Sequence, residues 1–433
     1  MKYKKIFSSA MGLAILLSLS APATAYAALD LSNLTVEGKN LDKATVDTSF
    51  TAHVSAPSGV ESVKFVLDGK YLGEDKRAPF SWDIKTGEGP HKLKVRDGDN
   101  SSARLVANFS AKGKSVPSTP PIEPSPEPVT PAAPPINPAL QDPTVSTAEE
   151  LEKALTSVES GSTIVLADGI YTGNFEASAN GSAGNPIQLV GSENAILTTG
   201  DDTSGYGLHI TGDYWHVRGI SVKESGKGIV LDSSVGSVLD GVDVGFIGNE
   251  GVHFRQNSSN GQIIHSTVHD TGTDVPDYGE GIYVGSANSN WGNIMGSSDI
   301  PDETNNVQIK NNRISNTTAE GIDIKEGTSG GVISGNVFHN AGYSGAHYGD
   351  SWVDVKGDNY SIVGNSGNDT KLDAFQVHGT IDSYGQNNYF ADNNVTSGVP
   401  GYLVNVSTNI KGTIIECQPT KAESGISNIA CQE

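Results

Sequence analysis

The chain has 433 residues, a formal net charge of -22, a hydrophobic content of 36% and 51 glycines. Its length allows more than one domain, and its composition is that of a turn-rich globular protein rather than a disordered one. The negative charge excludes nucleic-acid binding, because the phosphate backbone rewards clustered Lys and Arg. The same charge would repel an anionic polymer, so a site for one needs local cations or a bound divalent metal ion.

The first 27 residues have the three parts of a secretory signal peptide. The basic start MKYKK precedes an apolar stretch around Leu13 to Leu19, and Ala25-Tyr26-Ala27 provides the small-residue cleavage site. No later run approaches the roughly 18 apolar residues needed to span a bilayer. We therefore expect a secreted protein that does not insert into a membrane.

Residues 28–113 predict a small immunoglobulin-like β-sandwich. The runs Val63–Leu67 and His91–Val95 alternate side chains in the manner of half-buried strands. The phrase VKFVLDGKYLGEDKRAPFSWDI resembles bacterial immunoglobulin-like accessory modules of secreted carbohydrate enzymes. This resemblance implies an appendage rather than a catalytic domain. Residues 114–143 then hold eleven prolines, which predicts an extended linker.

A helix is predicted at the start of the remaining domain, residues 144–433. Thr147 and Glu150 form a possible capping box, and Leu151 and Leu155 follow at the spacing of one apolar helical face. The open end of a parallel coil exposes apolar side chains and unpaired backbone groups. We expect this helix to cover that end.

One short phrase recurs eight times between residues 206 and 406. Its copies are YGLHIT (206), KGIVLD (227), EGVHFR (250), EGIYVG (280), EGIDIK (320), SWVDVK (351), DAFQVH (373) and GYLVNV (401). Letters three and five are almost all apolar, and the last copy is aligned with Leu403 and Asn405 at these letters. Strand side chains alternate faces, so letters four and six share the opposite face. The repeat predicts an all-β fold, a right-handed parallel β-helix or solenoid.

Two further features of the repeat support a solenoid with one decorated face. A second segment has the spacing I-x-x-N in four coils, ending at Asn312, Asn336, Asn365 and Asn393. Stacked asparagines can hydrogen-bond to each other and to backbone where a strand ends. Residues beyond the basic coil length fall at 270–279, 286–304 and 341–350, which predicts loops that wall a groove.

The residues at letters four and six of the middle copies mostly have chemically reactive side chains. In coil order they read His253/Arg255, Tyr283/Gly285, Asp323/Lys325, Asp354/Lys356 and Gln376/His378. Equivalent positions on adjacent coils lie about 4.8 Å apart. We therefore expect Lys325, Lys356, Tyr283 and His378 to form a catalytic group. A surface ladder of ion pairs between neighbouring strands is the competing interpretation.

Metal and substrate ligands are predicted on the same copies. Carboxylates from adjacent coils suit Ca²⁺, and we expect the candidate ligands to be Glu280, Glu320, Asp323 and Asp354. The predicted substrate-binding residues are His253, Arg255, Trp291, Trp352 and Gln376. Trp291 can stack on a sugar ring or pack beneath its own loop. Trp352 replaces the usual glycine at letter two and is expected to project toward the groove.

The segment EGIDIKEGTSGGVISGNVF resembles the coil that bears the lysine base in the chondroitinase B and alginate lyase family. Glu320 and Lys325 have that family's spacing, Lys356 stands where the family has an arginine, and Thr318 replaces its second acidic ligand. The chain is also similar to lysine-based β-helical pectate lyases. These resemblances imply β-elimination of a uronic-acid polymer, pectate-like or alginate-like, with Lys325 as the base. Lys356 would bind the carboxylate or protonate the leaving group.

Other functions remain open at this point. A C5 epimerase uses the same proton abstraction, and an inverting glycoside hydrolase would use two carboxylates such as Asp323 and Asp354. A non-catalytic glycan-binding adhesin also suits the two-domain organisation. We expect a monomer that binds an anionic polysaccharide. The two cysteines, Cys417 and Cys431, predict a local disulfide in an oxidising compartment.

Overall fold

The computed structural model describes residues 34–36, 38–56, 60, 62–67, 70–97, 104–112, 145–345, 349–381 and 383–433. The predicted signal peptide and proline-rich linker lie outside these residues. The chain divides into two compact units, residues 1–115 and 116–433. Among the described residues, every helix is too short or too polar to cross a lipid bilayer.

The first unit is a β-sandwich of two sheets. One sheet contains Leu34–Val36, Lys39–Asn40, Ser49–Val54 and Phe80–Lys85. The other contains Thr45–Asp47, Val63–Leu67, Lys70–Asp75, Gly89–Asp97 and Arg104–Lys112. Phe65, Ile84 and Leu93 belong to one buried cluster to which both sheets contribute. Their burial explains the alternation seen in the sequence.

The second unit is a parallel β-helix with three sheets. The first sheet contains Thr163–Val165, Ile187–Val190, Trp215–Arg218, Val238–Asp240, Gln262–Ile264, Gln308–Lys310, Val332–Ser334, Ser361–Val363, Tyr389–Ala391 and Ile414–Ile415. The second contains Gly169–Thr172, Ala195–Thr198, Ser221–Ser225, Asp243–Ile247, Thr267–Thr271, Arg313–Thr317, Val337–Ala341, Ser366–Asn368 and Asn394–Ser397. The third contains Phe175–Ala177, Tyr206–Ile210, Lys227–Asp232, Val252–Arg255, Ile282–Val284, Ile322–Ile324, Ser351–Val355, Asp373–Val377 and Val404–Val406.

The copies of the recurring phrase form the strands of the third sheet. One earlier strand, Phe175–Ala177, also belongs to this sheet but was not recognised as a copy. Tyr283 pairs with Asp323, Asp323 with Asp354, and Asp354 with Gln376, as the alignment of the copies predicts. The alignment of the last copy is wrong by one residue, because Gln376 pairs with Asn405. A slip of one residue exchanges the two faces of a strand. Asn405 therefore lies on the reactive face.

Both ends of the β-helix are covered. The helix Ala148–Ser157 begins with the predicted capping box of Thr147 and Glu150, and Leu151 and Leu155 are buried in the core of the coils. At the other end, Cys417 and Cys431 form the expected disulfide, with their Cα atoms 5.0 Å apart. The disulfide holds the C-terminal tail, whose partly buried Ile426 packs against the same core.

The asparagine ladder forms as predicted. Asn336 Nδ2 donates to Asn365 Oδ1 at 2.9 Å and to the carbonyl of Ile309 at 2.8 Å. Its Oδ1 accepts from the backbone and side-chain nitrogens of Asn312, both at 3.0 Å. Because the site is fully buried, water does not replace these bonds. The ladder satisfies the backbone groups where strands of the first sheet end.

Replacing Asn336 by alanine is expected to lower the free energy of unfolding by about 2–3 kcal/mol, because it leaves the amide of Asn312 and the carbonyl of Ile309 without these bonds. Urea unfolding followed by circular dichroism measures this loss. Asn394→Ala is the matched control, because that side chain is exposed and its removal should cost nearly nothing. Equal losses in the two variants would contradict a structural role for the ladder.

Candidate functional site

A groove of about 810 Å³ lies over the outer face of the third sheet. Its walls include Tyr278 and Asp350, and residues of the 286–304 loop such as Asn290 and Ile294. These residues belong to the three segments predicted to wall a groove. The loops contain short 3-10 helices at Pro276–Tyr278 and Asn288–Asn290 and the α-helix Trp291–Ile294. The repeat therefore provides the floor, and its insertions provide the walls.

Two lysines and two aspartates form a connected network on the floor. Lys325 Nζ lies 2.6 Å from Asp323 Oδ2, and Lys356 Nζ lies 2.8 Å from Asp323 Oδ1 and 2.6 Å from Asp354 Oδ2. His378 Nδ1 lies 2.8 Å from Asp354 Oδ1. The side chains of Asp323 and Asp354 are only 2% and 5% exposed. The network is therefore largely buried, unlike the exposed ladder of ion pairs considered from sequence.

The network determines the protonation of its members. Burial alone lowers the pKa of Lys325, but the Asp323 carboxylate raises it above its usual range. Lys356 shows the same balance, because burial lowers its pKa while Asp323 and Asp354 raise it. Burial raises the pKa of Asp354, but Lys356 and His378 hold it well below its usual range. The pKa of His378 is raised, chiefly by the charge of Asp354. The cationic state of both lysines is therefore favoured.

Tyr283 lies between a histidine and a lysine. The ring centroids of Tyr283 and His253 are 4.2 Å apart, and Lys325 Nζ lies 5.1 Å from the centroid of the Tyr283 ring. Burial, followed by the charges of Asp323 and Glu280, raises the pKa of Tyr283 well above its usual range. The phenol consequently keeps its proton at alkaline pH and can act as a proton donor.

Three carboxylates converge beside this network. One oxygen from each of Glu280, Glu320 and Asp323 lies within 4.8 Å of the others, and all three residues are buried. Burial, followed by the charges of Glu250 and Asp323, raises the pKa of Glu280 to about 8. Glu280 Oε2 is buried and has no hydrogen-bond partner in the part of the chain that the structure describes. Oxygen donors with an unsatisfied buried atom fit a hard divalent cation such as Ca²⁺.

Asp354 and Thr318, the other two residues considered for the metal site, contact protein groups outside this trio of carboxylates. Asp354 was predicted as a fourth ligand, but it is not one of the three carboxylates that converge, and its oxygens contact Lys356 and His378. Thr318, which takes the place of an acidic ligand, donates to the carbonyl of Pro276 at 2.8 Å. This bond fixes the wall loop that contains Pro276.

The two tryptophans predicted to contact sugar are buried. Trp291 is 7% exposed and donates from Nε1 to the carbonyl of Ser286 at 2.9 Å, so it packs beneath its own loop. Trp352 is fully buried and stacks on Phe338 with a centroid separation of 5.6 Å. A Cβ built at Gly321, the equivalent position one coil earlier, would also meet Phe338. Letter two thus faces the core in these two coils.

The other predicted substrate ligands are largely occupied by protein partners. Arg255 forms two bonds to Asp232, at 2.5 and 2.9 Å. His253 is 4% exposed, and its Nε2 lies 2.8 Å from the carbonyl oxygen of Gly285. Both residues line the groove, but their strongest polar contacts are within the protein.

Asn405 lies at the far end of the groove and was not predicted as a site residue from the sequence. Gln376 Nε2 donates to Asp350 and Asp373, and Asn405 Nδ2 donates to Asp373 at 2.9 Å. Placing Val404 and Val406 at letters three and five would have found it, since both are apolar. Asp350, Gln376 and Asn405 of this cluster line the groove, and Gln376 and Asn405 lie two and three coils beyond Lys325.

Comparison with known proteins agrees with this geometry. A family model described as a bacterial Ig domain matches residues 36–95, and one described as a right handed beta helix region matches residues 206–351. The crystal structure of an alginate lyase from Paenibacillus sp. str. FPU-7 is 35% identical, with a TM-score of 0.61, over 65% of this chain and 96% of that chain.

A curated relative gives a more partial match. Pectate lyase L of Paenibacillus polymyxa (strain SC2) is 29% identical over 161 residues, which are 32% of this chain and 36% of that protein. The match thus spans little more than a third of that relative. The repeat, the groove and the near-complete coverage of the solved lyase lead to one assignment. The chain belongs to the right-handed parallel β-helix polysaccharide lyases and has an N-terminal bacterial immunoglobulin-like module.

Proposed function

We infer that this protein is secreted and cleaves a uronic-acid polysaccharide, pectate-like or alginate-like, by β-elimination, with Lys325 as the base. The observation that carries this proposal is the position of Lys325. Its ammonium lies in the groove, 2.6 Å from Asp323 and 5.1 Å from the ring centroid of Tyr283. A base, a proton donor and cations for the substrate carboxylate are thus gathered on four adjacent coils.

The proposed reaction balances with these groups. Neutral Lys325 takes the C5 proton of the uronate, and the electron pair of the C–H bond becomes the C4–C5 double bond. The C4–O bond breaks, and the leaving oxygen receives the proton of the Tyr283 phenol. Lys356 and His378, whose pKa values are raised by neighbouring aspartates, would stabilise negative charge on the substrate carboxylate.

A divalent cation fits the proposed chemistry. Glu280, Glu320 and Asp323 would hold Ca²⁺, which when bound offsets their charge and acidifies the C5 proton through the substrate carboxylate. With their charge offset, these carboxylates would raise the pKa of Lys325 less. A larger share of Lys325 would then be neutral and available as a base.

The same residues argue against an inverting hydrolase. Asp323 and Asp354 are direct register partners on adjacent strands, and Lys356 bonds to both carboxylates. Inverting enzymes separate their two carboxyl groups by about 6.5–9.5 Å and need one with a raised pKa. The pKa of Asp354 is lowered instead, since Lys356 and His378 outweigh burial.

Incubation with a panel of polyuronates, with and without chelator, tests the proposal. Elimination produces unsaturated sugar ends, which absorb in the ultraviolet as the reaction proceeds. New reducing ends without that absorbance would indicate hydrolysis. Inverted C5 centres in an uncleaved polymer would indicate epimerisation. Binding without any product would indicate an adhesin, and each of these three results would refute elimination.

A further inference from the structure

His253 lies in the groove floor beside Tyr283. It is the direct register partner of Tyr283 on the neighbouring strand. The two rings are 4.2 Å apart with an interplanar angle of 37°. On its other side, Tyr283 faces the ammonium of Lys325. The phenol proposed as proton donor is therefore held between an imidazole and the proposed base.

Neither nitrogen of His253 is available to substrate. Nε2 lies 2.8 Å from the carbonyl oxygen of Gly285. Because a carbonyl only accepts, Nε2 must carry the proton. Nδ1 is buried, has no hydrogen-bond partner among the described residues and lies 3.6 Å from Glu250 Oε1. The residue itself is 4% exposed. A role as a substrate ligand, which the sequence suggested, does not agree with these contacts.

The hydrogen bond from His253 to the carbonyl of Gly285 also joins His253 to the segment that bears Tyr283. Gly285 follows Tyr283 by two residues and has φ of +79°, a conformation that L side chains rarely adopt. A Cβ at this position would also meet Thr328 at 2.5 Å. The carbonyl that accepts from His253 is thus fixed where the chain leaves the floor for the 286–304 loop.

Glu250, three residues before His253 in the same coil, lies beside the other nitrogen and pairs with a lysine of the preceding coil. Glu250 Oε1, which lies beside Nδ1, accepts from Lys227 Nζ at 2.7 Å. Glu250 is 6% exposed, so this pair is shielded from solvent and weakly screened. The imidazole is therefore fixed by its hydrogen bond to Gly285, and its ring lies against the ring of Tyr283.

We propose that His253 is a positioning residue that holds the phenol of Tyr283 in the orientation needed to protonate the leaving oxygen, through ring contact and through its hydrogen bond to Gly285. This inference rests on the proposed function, because it assigns His253 to the same reaction. It predicts that loss of His253 slows the chemical step without weakening substrate binding.

Steady-state kinetics test the inference first. His253→Ala is expected to lower kcat by about tenfold or more, since small misplacements of a reacting group are costly, while KM stays within about twofold. His253→Gln keeps an N–H donor and is expected to retain more of kcat than alanine. His209→Ala is the matched control, a histidine at the same letter of an earlier copy that bonds to Asp232, and its kcat should be unchanged. A raised KM with normal kcat would overturn the proposal in favour of substrate contact.

A double-mutant cycle and a crystal structure complete the test. In a Tyr283→Phe background, His253→Ala is expected to lower kcat no further than about twofold, because both changes disable one function. If the two losses in kcat multiply fully in the double mutant, the proposal is wrong.

In crystals of His253→Ala, the Tyr283 ring should be displaced or should occupy several positions, and an unmoved ring would overturn the proposal. This last measurement decides the inference even if the wild-type protein eliminates no polyuronate, a result that would refute only the proposed function.

Discussion

Lys325→Ala is expected to lower kcat/KM for elimination by about 10²- to 10⁴-fold, the usual contribution of a positioned base. Lys325→Arg is expected to be equally impaired, because a guanidinium keeps the charge but does not lose its proton at working pH. Rates of unsaturated-end formation measure both variants. Lys223→Ala is the matched control, because that lysine pairs with Asp243 on the second sheet, at 2.8 Å and outside the groove. Near-normal activity of the arginine variant would show that Lys325 supplies charge and not basicity.

The pH profile adds an independent check on Lys325. Its raised pKa, in which Asp323 outweighs burial, leaves only a small neutral fraction at pH 7. That fraction grows about tenfold for each pH unit below the pKa, so log kcat/KM should rise with pH at a slope of about one. Asp323→Asn removes the nearest charge that raises the pKa and should shift the profile toward lower pH. A flat alkaline profile in the wild type would contradict the base assignment.

Glu320→Gln is expected to remove a Ca²⁺-dependent increase in thermal stability. A cation that binds only the folded state raises the melting temperature with concentration, so millimolar CaCl₂ should stabilise the wild type. Differential scanning fluorimetry measures this without substrate, and chelator should lower lyase activity in parallel. Glu176→Gln is the matched control, a carboxylate at letter four of the earliest coil that accepts from Thr211. An equal Ca²⁺ response in Glu320→Gln and the wild type would exclude this site.

The stabilisation should also depend on pH in a defined direction. The pKa of Glu280 is raised from 4.5 to about 8, by burial first and then by Glu250 and Asp323. The folded state therefore binds a proton that the unfolded state has lost, so stability is full below pH 4.5 and falls as pH rises toward 8. Calcium would take the place of that proton. The Ca²⁺-induced shift should consequently be small at pH 5 and larger at pH 8, and an opposite trend would contradict the cation site.

Much of the fold was determined by the sequence alone. Letters three and five predicted a parallel β-helix because strand side chains alternate with period two, and coils of similar length place equal letters side by side. The same rule brought Asp323, Asp354 and their lysines into adjacent positions. The capping box at Thr147 and the ladder of asparagines were also confirmed, since both depend on contacts at fixed spacing.

Tertiary structure decided what alternation does not describe. Glu280 and Glu320 stand at letter one, in the connections between the second and third sheets, so only the folded chain shows that they converge on Asp323. Trp352 is buried in the core although it stands at letter two, whereas Asn405 was missed only because the last copy was aligned one residue too early. The protonation of Lys325 likewise depends on a balance between burial and neighbouring carboxylates. Sequence periodicity determined which residues share a face, whereas the bending of the backbone and the depth of burial decided which of them form one site.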